Sequence, residues 1–226
     1  ISNTAILSGD SMLVLAFERM AQCDSRHLSE VLRLFTVTAL EIGEGQQYDM
    51  EFENRNDVKE EEYIEMIRLK TSVLLACAMK IGAILADAPA EDVENLYKFG
   101  EQIGLAFQLQ DDYLDVYGDP KVFGKKIGGD IICNKKTYML INAFNKANAR
   151  QCKELEKWIG CENFNHEEKV AAVTELYNSI GVDKMAIERI NYYFDEANKY
   201  IAAVNLPDER KAELLAYAQK MLHRKW

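Results

Sequence analysis

Long apolar stretches are missing from this chain, and so is any excess of positive charge. A membrane-spanning helix needs roughly 18 or more consecutive apolar residues, and the most apolar segment, residues 72–85, is interrupted by Lys80. The formal net charge is −10, which disfavours binding to nucleic-acid phosphates or to anionic membrane surfaces. We therefore expect neither a nucleic-acid partner nor stable insertion into a membrane.

Cysteine and histidine are too few and too widely spaced for several kinds of site. The five cysteines form no Cys-x-x-Cys pair, so they indicate buried thiols in a reducing compartment rather than disulfides or a zinc site. None of the three histidines follows a glutamate by three residues, as a di-iron carboxylate bundle requires. No Ser-His-Asp or Cys-His arrangement is recognisable either. We therefore expect a cytoplasmic enzyme that uses none of these sites.

Helical periodicity runs through every long segment, and no convincing period-two strand is present. The predicted helices are residues 5–22, 28–54, 59–87, 90–117, 136–158, 166–180, 183–204 and 207–224. Hydrophobic residues make up 48% of the 226, enough to bury a substantial core. The sequence thus predicts one all-α domain over residues 1–226, a bundle of long, mostly antiparallel helices around a central cavity.

One predicted helix carries three aspartates, Asp111, Asp112 and Asp115, with no positive charge near them in sequence. No basic residue occurs in residues 99–120. On a helical projection the three carboxylates fall within about 60° of Gln108, and apolar residues occupy most of the remaining arc. Like charges one turn apart repel unless water or a divalent cation surrounds them. Spacing alone leaves two equal alternatives, a solvated acidic strip and a metal-lined cavity.

Lys70 lies on a face of another predicted helix that otherwise carries apolar residues. Those sharing the face include Tyr63, Met66, Ile67, Leu74 and Cys77. A buried ammonium is rare unless a negative group pairs with it. Either the flexible side chain extends its tip to solvent, or it holds an anionic ligand inside the bundle. The second interpretation agrees with the aspartates, because a lysine and metal-bound carboxylates can hold one anion between them.

The connection over residues 118–136 combines four glycines with five lysines. Glycine lets backbone amides approach a phosphate closely, and lysine supplies a point charge to it. Loops of this length inside a compact domain are usually functional or disordered. A lysine-rich glycine loop is by itself more often a solvated surface, but its position directly after the aspartates favours a phosphate site.

Together these segments resemble the trans-isoprenyl diphosphate synthases, of the farnesyl or geranylgeranyl diphosphate synthase kind. Residues 107–115, Phe-Gln-Leu-Gln-Asp-Asp-Tyr-Leu-Asp, resemble the family's second aspartate-rich motif. Other similar elements, in family order, are Gly-Asp at 9–10, Gly-Gln-x-x-Asp at 45–49, Lys-Thr at 70–71, Gly-Lys-Lys-Ile-Gly-Gly-Asp-Ile at 124–131 and Asn-Lys-Lys-Thr at 134–137. Their occurrence in one order is far more specific than any one element.

The resemblance implies an isoprenoid synthase fold and a prenyltransferase reaction. An allylic diphosphate would condense with isopentenyl diphosphate, and the ionisation of the allylic diphosphate would depend on Mg²⁺, with Mn²⁺ as an alternative ion. In the family pattern Asp111 corresponds to the direct metal ligand, and Asp112 and Asp115 correspond to residues that hold metal-bound water. The resemblance also implies a homodimer whose interface lies near residues 5–54.

Six residues correspond to positions that contact the substrate in the resembled family. They are Lys70, Thr71, Phe107, Gln108, Lys125 and Lys135. The three lysines would grip the allylic diphosphate, while Gln108 and the Thr71 hydroxyl would steady the reacting allyl group. Of the six, the implied catalytic residues are Lys70, Thr71, Gln108 and Lys125.

The chain departs from the family in one large respect. The first aspartate-rich motif, Asp-Asp-x-x-Asp followed by Arg-Arg, is absent from the sequence. In the family it lies shortly before the Gly-Asp element, and Ile1 is an unusual first residue for a natural protein. We therefore expect the carboxy-terminal part, roughly two thirds, of a longer enzyme, and leave open whether this part alone is active. A terpene cyclase and a non-catalytic regulatory or scaffold homologue remain as alternatives.

Overall fold

The computed structural model describes residues 2–119, 127–161 and 163–222. Within these ranges the chain forms eleven α-helices and one π-helical turn, and no β-strand. In chain order the helices are α1 (Ser2–Met20), α2 (Leu28–Phe52), α3 (Glu60–Ile67), α4 (Val73–Leu85), α5 (Ala90–Tyr117), α6 (Gly129–Ile132), α7 (Tyr138–Lys146), α8 (Ala149–Ile159), α9 (His166–Ile180), α10 (Val182–Ala203) and α11 (Asp208–Leu222). The prediction of an all-α fold is confirmed.

The predicted helix 136–158 is in fact two helices, α7 and α8, separated at residues 147–148. The Asn148 side chain accepts hydrogen bonds from the backbone amides of Arg150 and Gln151, both at 3.0 Å. The Gln151 side chain in turn accepts one from the Asn148 amide at 3.0 Å. This reciprocal capping box satisfies the first amides of a new helix, so the prediction of one continuous helix was wrong.

The predicted helix 59–87 is interrupted by the π turn, Arg68–Ser72, which joins α3 to α4. A π turn accommodates more residues than an α-helical turn, so the side chains after it face differently from a regular projection. Leu74 is 51% exposed although the projection assigns it to the buried face, whereas Cys77 is buried. Lys70 lies inside the turn, and its side chain is 33% exposed. The residues predicted to share one apolar face with Lys70 therefore do not all lie on the same side of the helix.

Helix α5 is the central element, and α4 and α10 pack along much of its length. The contact with α4 is close because glycine occurs twice where the helices meet. A Cβ atom at Gly100 would lie 2.8 Å from Cα of Ala76, and one at Gly104 would lie 2.5 Å from Cα of Ser72. This approach brings the π turn against the half of α5 that carries the aspartates.

Large exposed apolar side chains concentrate on α1 and α2. They include Ile6, Leu7, Met12, Leu13, Val14, Leu15, Val37 and Leu40. Because α1 packs against α2, these residues belong to neighbouring helices, and exposed apolar surface of this extent is typical of an interaction surface. No helix in the described ranges combines the length and the apolarity of a bilayer-spanning segment.

Candidate active site

The three predicted metal-binding aspartates have different surroundings. Asp112 is only 3% exposed, and its carboxylate accepts hydrogen bonds from the Tyr63 hydroxyl and, at 3.1 Å, from the Gln108 side-chain amide. Asp111 and Asp115 are half-buried. The single acidic stripe predicted from helical spacing is thus divided, with Asp112 held against α3 and the other two more open.

Asp115 holds the start of α6 against α5. Its backbone carbonyl accepts a hydrogen bond from the Gly128 amide at 2.6 Å, and its carboxylate accepts one from the Asp130 amide at 3.0 Å. Gly128 has a φ of 83°, and a Cβ atom there would meet the Val170 side chain, so the turn requires glycine. These contacts keep Asp130 beside the aspartates of α5.

Two carboxyl groups of this region lie where negative charge is disfavoured. Burial raises the pKa of Asp130 to about 6. The positive charge of Lys135 acts to lower this pKa, and the negative charges of neighbouring aspartates raise it further. Burial raises the pKa of Asp112 to about 7, and the charge of Asp130 adds to the shift. A cation bound among such carboxyls would stabilise their ionised forms.

Lys135 and Lys70 supply positive charge to the same region. The Lys135 ammonium lies 3.8 Å from the Asp130 carboxylate. Burial by itself would lower the pKa of Lys135, but the surrounding aspartates outweigh it and raise this pKa. The Lys70 ammonium donates a hydrogen bond to Asp49 at 2.5 Å. We call the following group the aspartate cluster: Asp49, Asp111, Asp112, Asp115 and Asp130.

The aspartate cluster fits a magnesium ion that a substrate helps to hold. Nowhere in the described residues do three acidic, histidine or cysteine side chains converge closely enough to hold a metal ion by themselves. Mg²⁺ usually keeps several waters and binds through one or two carboxylates together with substrate phosphates. Asp111 and Asp115 are the more open oxygen donors for such an ion, and two carboxyls with raised pKa values, Asp112 and Asp130, lie close by.

A chain of hydrogen bonds links the π turn to Asp112. The Thr71 hydroxyl donates to the Gln108 side-chain oxygen at 3.0 Å, and the Gln108 amide nitrogen donates to Asp112 at 3.1 Å. Gln108 is therefore held from both ends, with its amide orientation set by its two partners. Because π turns occur frequently at functional sites, the turn that carries Lys70 and Thr71 is a further indication of function here.

The structure brings most of the predicted site residues to one end of α5. Those that it brings together are Lys70, Thr71, Gln108, Asp111, Asp112, Asp115 and Lys135. Phe107 is half-buried on α5 beside Gln108. Lys125 lies outside the described residues. The roles assigned to all of these residues remain predictions.

Three residues of the site were missed by sequence reasoning. Asp49 and Asp130 each belong to an element that resembles the family, but the spacing within α5 gave no reason to add them to its aspartates. Tyr63 was assigned to an apolar helix face. Its hydroxyl donates to Asp112, 49 residues away in the sequence, and no local pattern indicates a pair so distant.

The sequence around this site matches a known protein family. The family pattern described as polyprenyl synthetase matches residues 1–177, which is well over half of the chain. The chain belongs to the polyprenyl synthetase family. The resemblance inferred from the motifs is therefore confirmed.

Relatives and solved structures agree with the family assignment. A short chain isoprenyl diphosphate synthase of Methanocaldococcus jannaschii is 41% identical over 177 residues, 78% of this chain and 54% of that protein. A crystal structure of a geranylgeranyl pyrophosphate synthase matches with a TM-score of 0.92 and 39% identity, covering 99% of this chain and 69% of the other. A geranylgeranyl pyrophosphate synthase from Corynebacterium glutamicum, solved with isoprenyl diphosphate and magnesium, matches with a TM-score of 0.88 and 28% identity over 98% of this chain and 63% of the other.

This polyprenyl synthetase chain therefore has the all-α isoprenoid synthase fold of its structural neighbours. It spans little more than half the length of the Methanocaldococcus relative. Helix α5, the π turn and α6 all lie within residues 1–177, the part matched by the family pattern. The candidate active site is accordingly in the part of the chain that carries the family relationship.

Proposed function

We propose that this chain contributes the diphosphate-ionising part of a prenyl diphosphate synthase. The enzyme would condense an allylic diphosphate with isopentenyl diphosphate and release inorganic diphosphate. The observation that carries the proposal is the aspartate cluster flanked by Lys70 and Lys135. Carboxylates that favour a divalent cation, next to lysines that favour an anion, match the two needs of a metal-bound diphosphate. The names of the similar proteins support the same reaction class.

Asp111 is the proposed direct ligand of Mg²⁺, and Asp112 and Asp115 would hold metal-bound water. An Mg²⁺ ion held by these residues would supply positive charge that offsets the charge developing on a leaving diphosphate. Lys70, Lys135 and Lys125 would grip the diphosphate group, with the first two already beside the aspartate cluster. Mn²⁺, a similar hard cation, is proposed as an alternative ion.

The reaction itself breaks the allylic C–O bond, and its electron pair leaves with the diphosphate. The double bond of isopentenyl diphosphate then forms the new C–C bond, and the departing diphosphate takes the proton that is lost. Gln108 and Thr71 would steady the allyl group, because their mutual hydrogen bond holds both in one orientation. Phe107 would contribute apolar surface next to them.

The direct test is an assay of the natural protein with isopentenyl diphosphate and each allylic primer, followed by mass analysis of the products. We expect a longer prenyl diphosphate that forms with Mg²⁺ and does not form with a chelator. Lys135→Met should weaken use of the allylic diphosphate, whereas Lys153→Met, on the exposed side of α8, should not. A cyclic hydrocarbon made without isopentenyl diphosphate would instead identify a terpene cyclase, and no product from any primer would support a non-catalytic homologue.

We further propose a homodimer whose interface includes the exposed apolar residues of α1 and α2. The motivation is the number of large apolar side chains exposed on these two helices, which a second copy would remove from water. Sedimentation of the natural protein at micromolar concentration should give twice the monomer mass, and Leu40→Glu should shift it toward monomer. A monomer for the unaltered protein would contradict the proposal.

A further inference from the structure

A large cavity lies outside the candidate active site. It has a volume of about 930 Å³ and is lined by the 56–61 segment before and at the start of α3, by α7, by the end of α8 and by α10. No member of the aspartate cluster and no residue of α5 lines it. Its size is within the range of roughly 300–1,000 Å³ that is typical of small-molecule sites.

Tyr138 forms the wall between this cavity and the aspartate cluster. It is buried, and its ring centroid lies 6.5 Å from that of Tyr63, whose hydroxyl binds Asp112. On the cavity side, Arg189 interacts with the Tyr138 hydroxyl and pairs with Glu60. The cavity therefore has a wall of fixed side chains, which is the condition for a pre-formed site.

Lys136 differs from the other partly buried charged groups of this cavity, Glu60 and Arg189, because no described residue forms an ion pair with it. It is half-buried, and its ammonium donates to the backbone carbonyl of Asn134 at 3.3 Å. Within the described residues it forms no ion pair, and burial lowers its pKa with no carboxylate acting in the opposite direction. A partly desolvated ammonium of this kind is stabilised when an anion binds to it.

The carboxylates that line the cavity do not pair with Lys136. Asp57 pairs with Arg55, and Glu60 with Arg189. The remaining charged side chains are exposed; they are Lys59, Glu61, Lys146 and Glu156. Among the described residues, the positive charge of Lys136 is therefore compensated only by a backbone carbonyl dipole.

Asn56, Asn142, Asn145 and Gly160 also line the cavity, and apolar side chains form the remainder. They are Val58, Leu140, Ile141, Phe144, Ile159 and Met185, with the ring of Tyr138. A ligand that fills the cavity would remove these side chains from water at about 25 cal/mol per Å² of apolar area. A small inorganic anion would use Lys136 but would leave this apolar surface uncovered.

We propose that this cavity is a second ligand site, which binds an amphipathic anion. The phosphate or carboxylate head contacts Lys136, and the apolar part packs against Ile141, Phe144 and Met185. Prenyl phosphates and fatty acids both have this chemistry, and the head group distinguishes them. The site goes beyond the proposed prenyl transfer and does not depend on it, because none of the described residues with a proposed catalytic role lines the cavity.

Calorimetric titration of the natural protein with octyl phosphate, octanoate and octanol tests the proposal. Mg²⁺ and excess inorganic diphosphate are present throughout, so that a diphosphate site at the aspartate cluster is already filled. We expect one site at which at least one of the two anions binds ten-fold or more tightly than octanol. The anion with the higher affinity identifies the head group, and either ranking supports the site.

Two variants and a matched control locate the binding. Lys136→Met should weaken the favoured anion at least ten-fold and leave octanol within two-fold, because the apolar lining is kept. Met185→Trp should weaken all three probes by filling the cavity, and Lys153→Met, an exposed lysine outside the lining, should change none. Circular dichroism confirms that each variant is folded. Anion binding that is unchanged in both Lys136→Met and Met185→Trp, or no tighter than that of octanol, would overturn the proposal.

Discussion

Besides Asp92 in the first turn, which accepts a hydrogen bond from the Asn205 amide, the buried carboxylates of α5 are Glu101 in the amino-terminal half and Asp112 in the carboxyl-terminal half. Glu101 lies 2.9 Å from the Lys98 ammonium and 3.6 Å from the Arg68 guanidinium. Asp112 is held by the uncharged side chains of Tyr63 and Gln108. The first charge is neutralised within the fold, whereas the second lies in a cluster with more carboxyls than lysines among the described residues. A buried charge compensated by the fold is structural, and one left uncompensated marks a place where a cation is expected.

Both halves of α5 also contribute to apolar clusters. Phe99 and Ile103 belong to a small cluster with Ala197 and Ile201 of α10. The second half contributes Leu105, Leu109 and Val116 to a larger cluster, and it carries the hydrogen-bonded polar side chains as well. We therefore expect truncation of a buried apolar residue in either half to change stability, and substitution of the aspartates in the second half to change activity.

Truncating Phe99 should have the largest effect, and the effect should be on stability. The side chain is 1% exposed, so Phe99→Ala should lower the free energy of unfolding by about 3–5 kcal/mol. Urea denaturation followed by circular dichroism measures it. Phe107→Ala, at a half-buried position on the same helix, serves as the control and should cost clearly less. Equal losses in the two variants would contradict the expectation that the loss depends on burial.

Removing Asp111 should have the next largest effect, on turnover. In the natural protein Asp111→Ala should lower kcat by at least ~10²-fold, in the range for lost transition-state electrostatics, with little change in unfolding free energy. Glu91→Ala removes an exposed carboxylate from the other half of α5 and should leave kcat unchanged. Near-normal turnover of Asp111→Ala with Mg²⁺ would contradict the metal assignment.

Gly104 lies where the two halves of α5 meet, and its substitution should affect both stability and turnover. A Cβ atom there would clash with Ser72 in the π turn, so Gly104→Ala should cost about 1–3 kcal/mol of stability. It should also lower kcat, because the turn carries Thr71. Gly43→Ala in α2, where a Cβ meets nothing within 4 Å, should instead stabilise by up to ~1 kcal/mol. If Gly104→Ala were as stable as Gly43→Ala, the close contact would be disproved.

The last effect concerns pH in the absence of divalent metal. The pKa of Asp112 is raised to about 7 in the folded protein from an ordinary value of 3.8, so between these values the folded state binds the proton more strongly than the unfolded state. Stability from this group is therefore present at low pH and is lost as the pH rises from about 4 to 7, by at most about 1.4 kcal/mol per pH unit.

Asp112→Asn removes this titration, so the difference between the two proteins reports on Asp112 alone. With a chelator present, the unfolding free energy of the unaltered protein should fall relative to that of Asp112→Asn as the pH rises from about 4 to 7. Adding Mg²⁺ should reduce the difference if the ion binds at the aspartate cluster. A difference that stays constant from pH 4 to 7 would show that burial does not shift the Asp112 pKa.

The comparison of the two halves also shows where sequence reasoning succeeded and failed. The bounds of α5, 90–117, were predicted correctly, because Pro89 and the glycine at 118 delimit a strongly periodic segment. The break at Asn148 was missed although its capping box is visible in the sequence. The π turn at 68–72 was missed for a different reason, since it depends on contacts with α5 and α2, at Gly104 and Gly45.

By itself the sequence determined the helical class of the fold, the aspartates of α5 and the motifs that identify the family. Each of these depends on residues close together in the chain, and helical periodicity expresses such local relations directly. Only the tertiary structure decided that Asp112 is buried while Asp115 is more open, and that Asp49 and Asp130 join them. Those outcomes depend on groups far apart in the chain, such as Tyr63 with Asp112 and Lys70 with Asp49. Their proximity results from the packing of α3, α6 and the π turn against α5, and of α2 against the π turn. No local pattern encodes it.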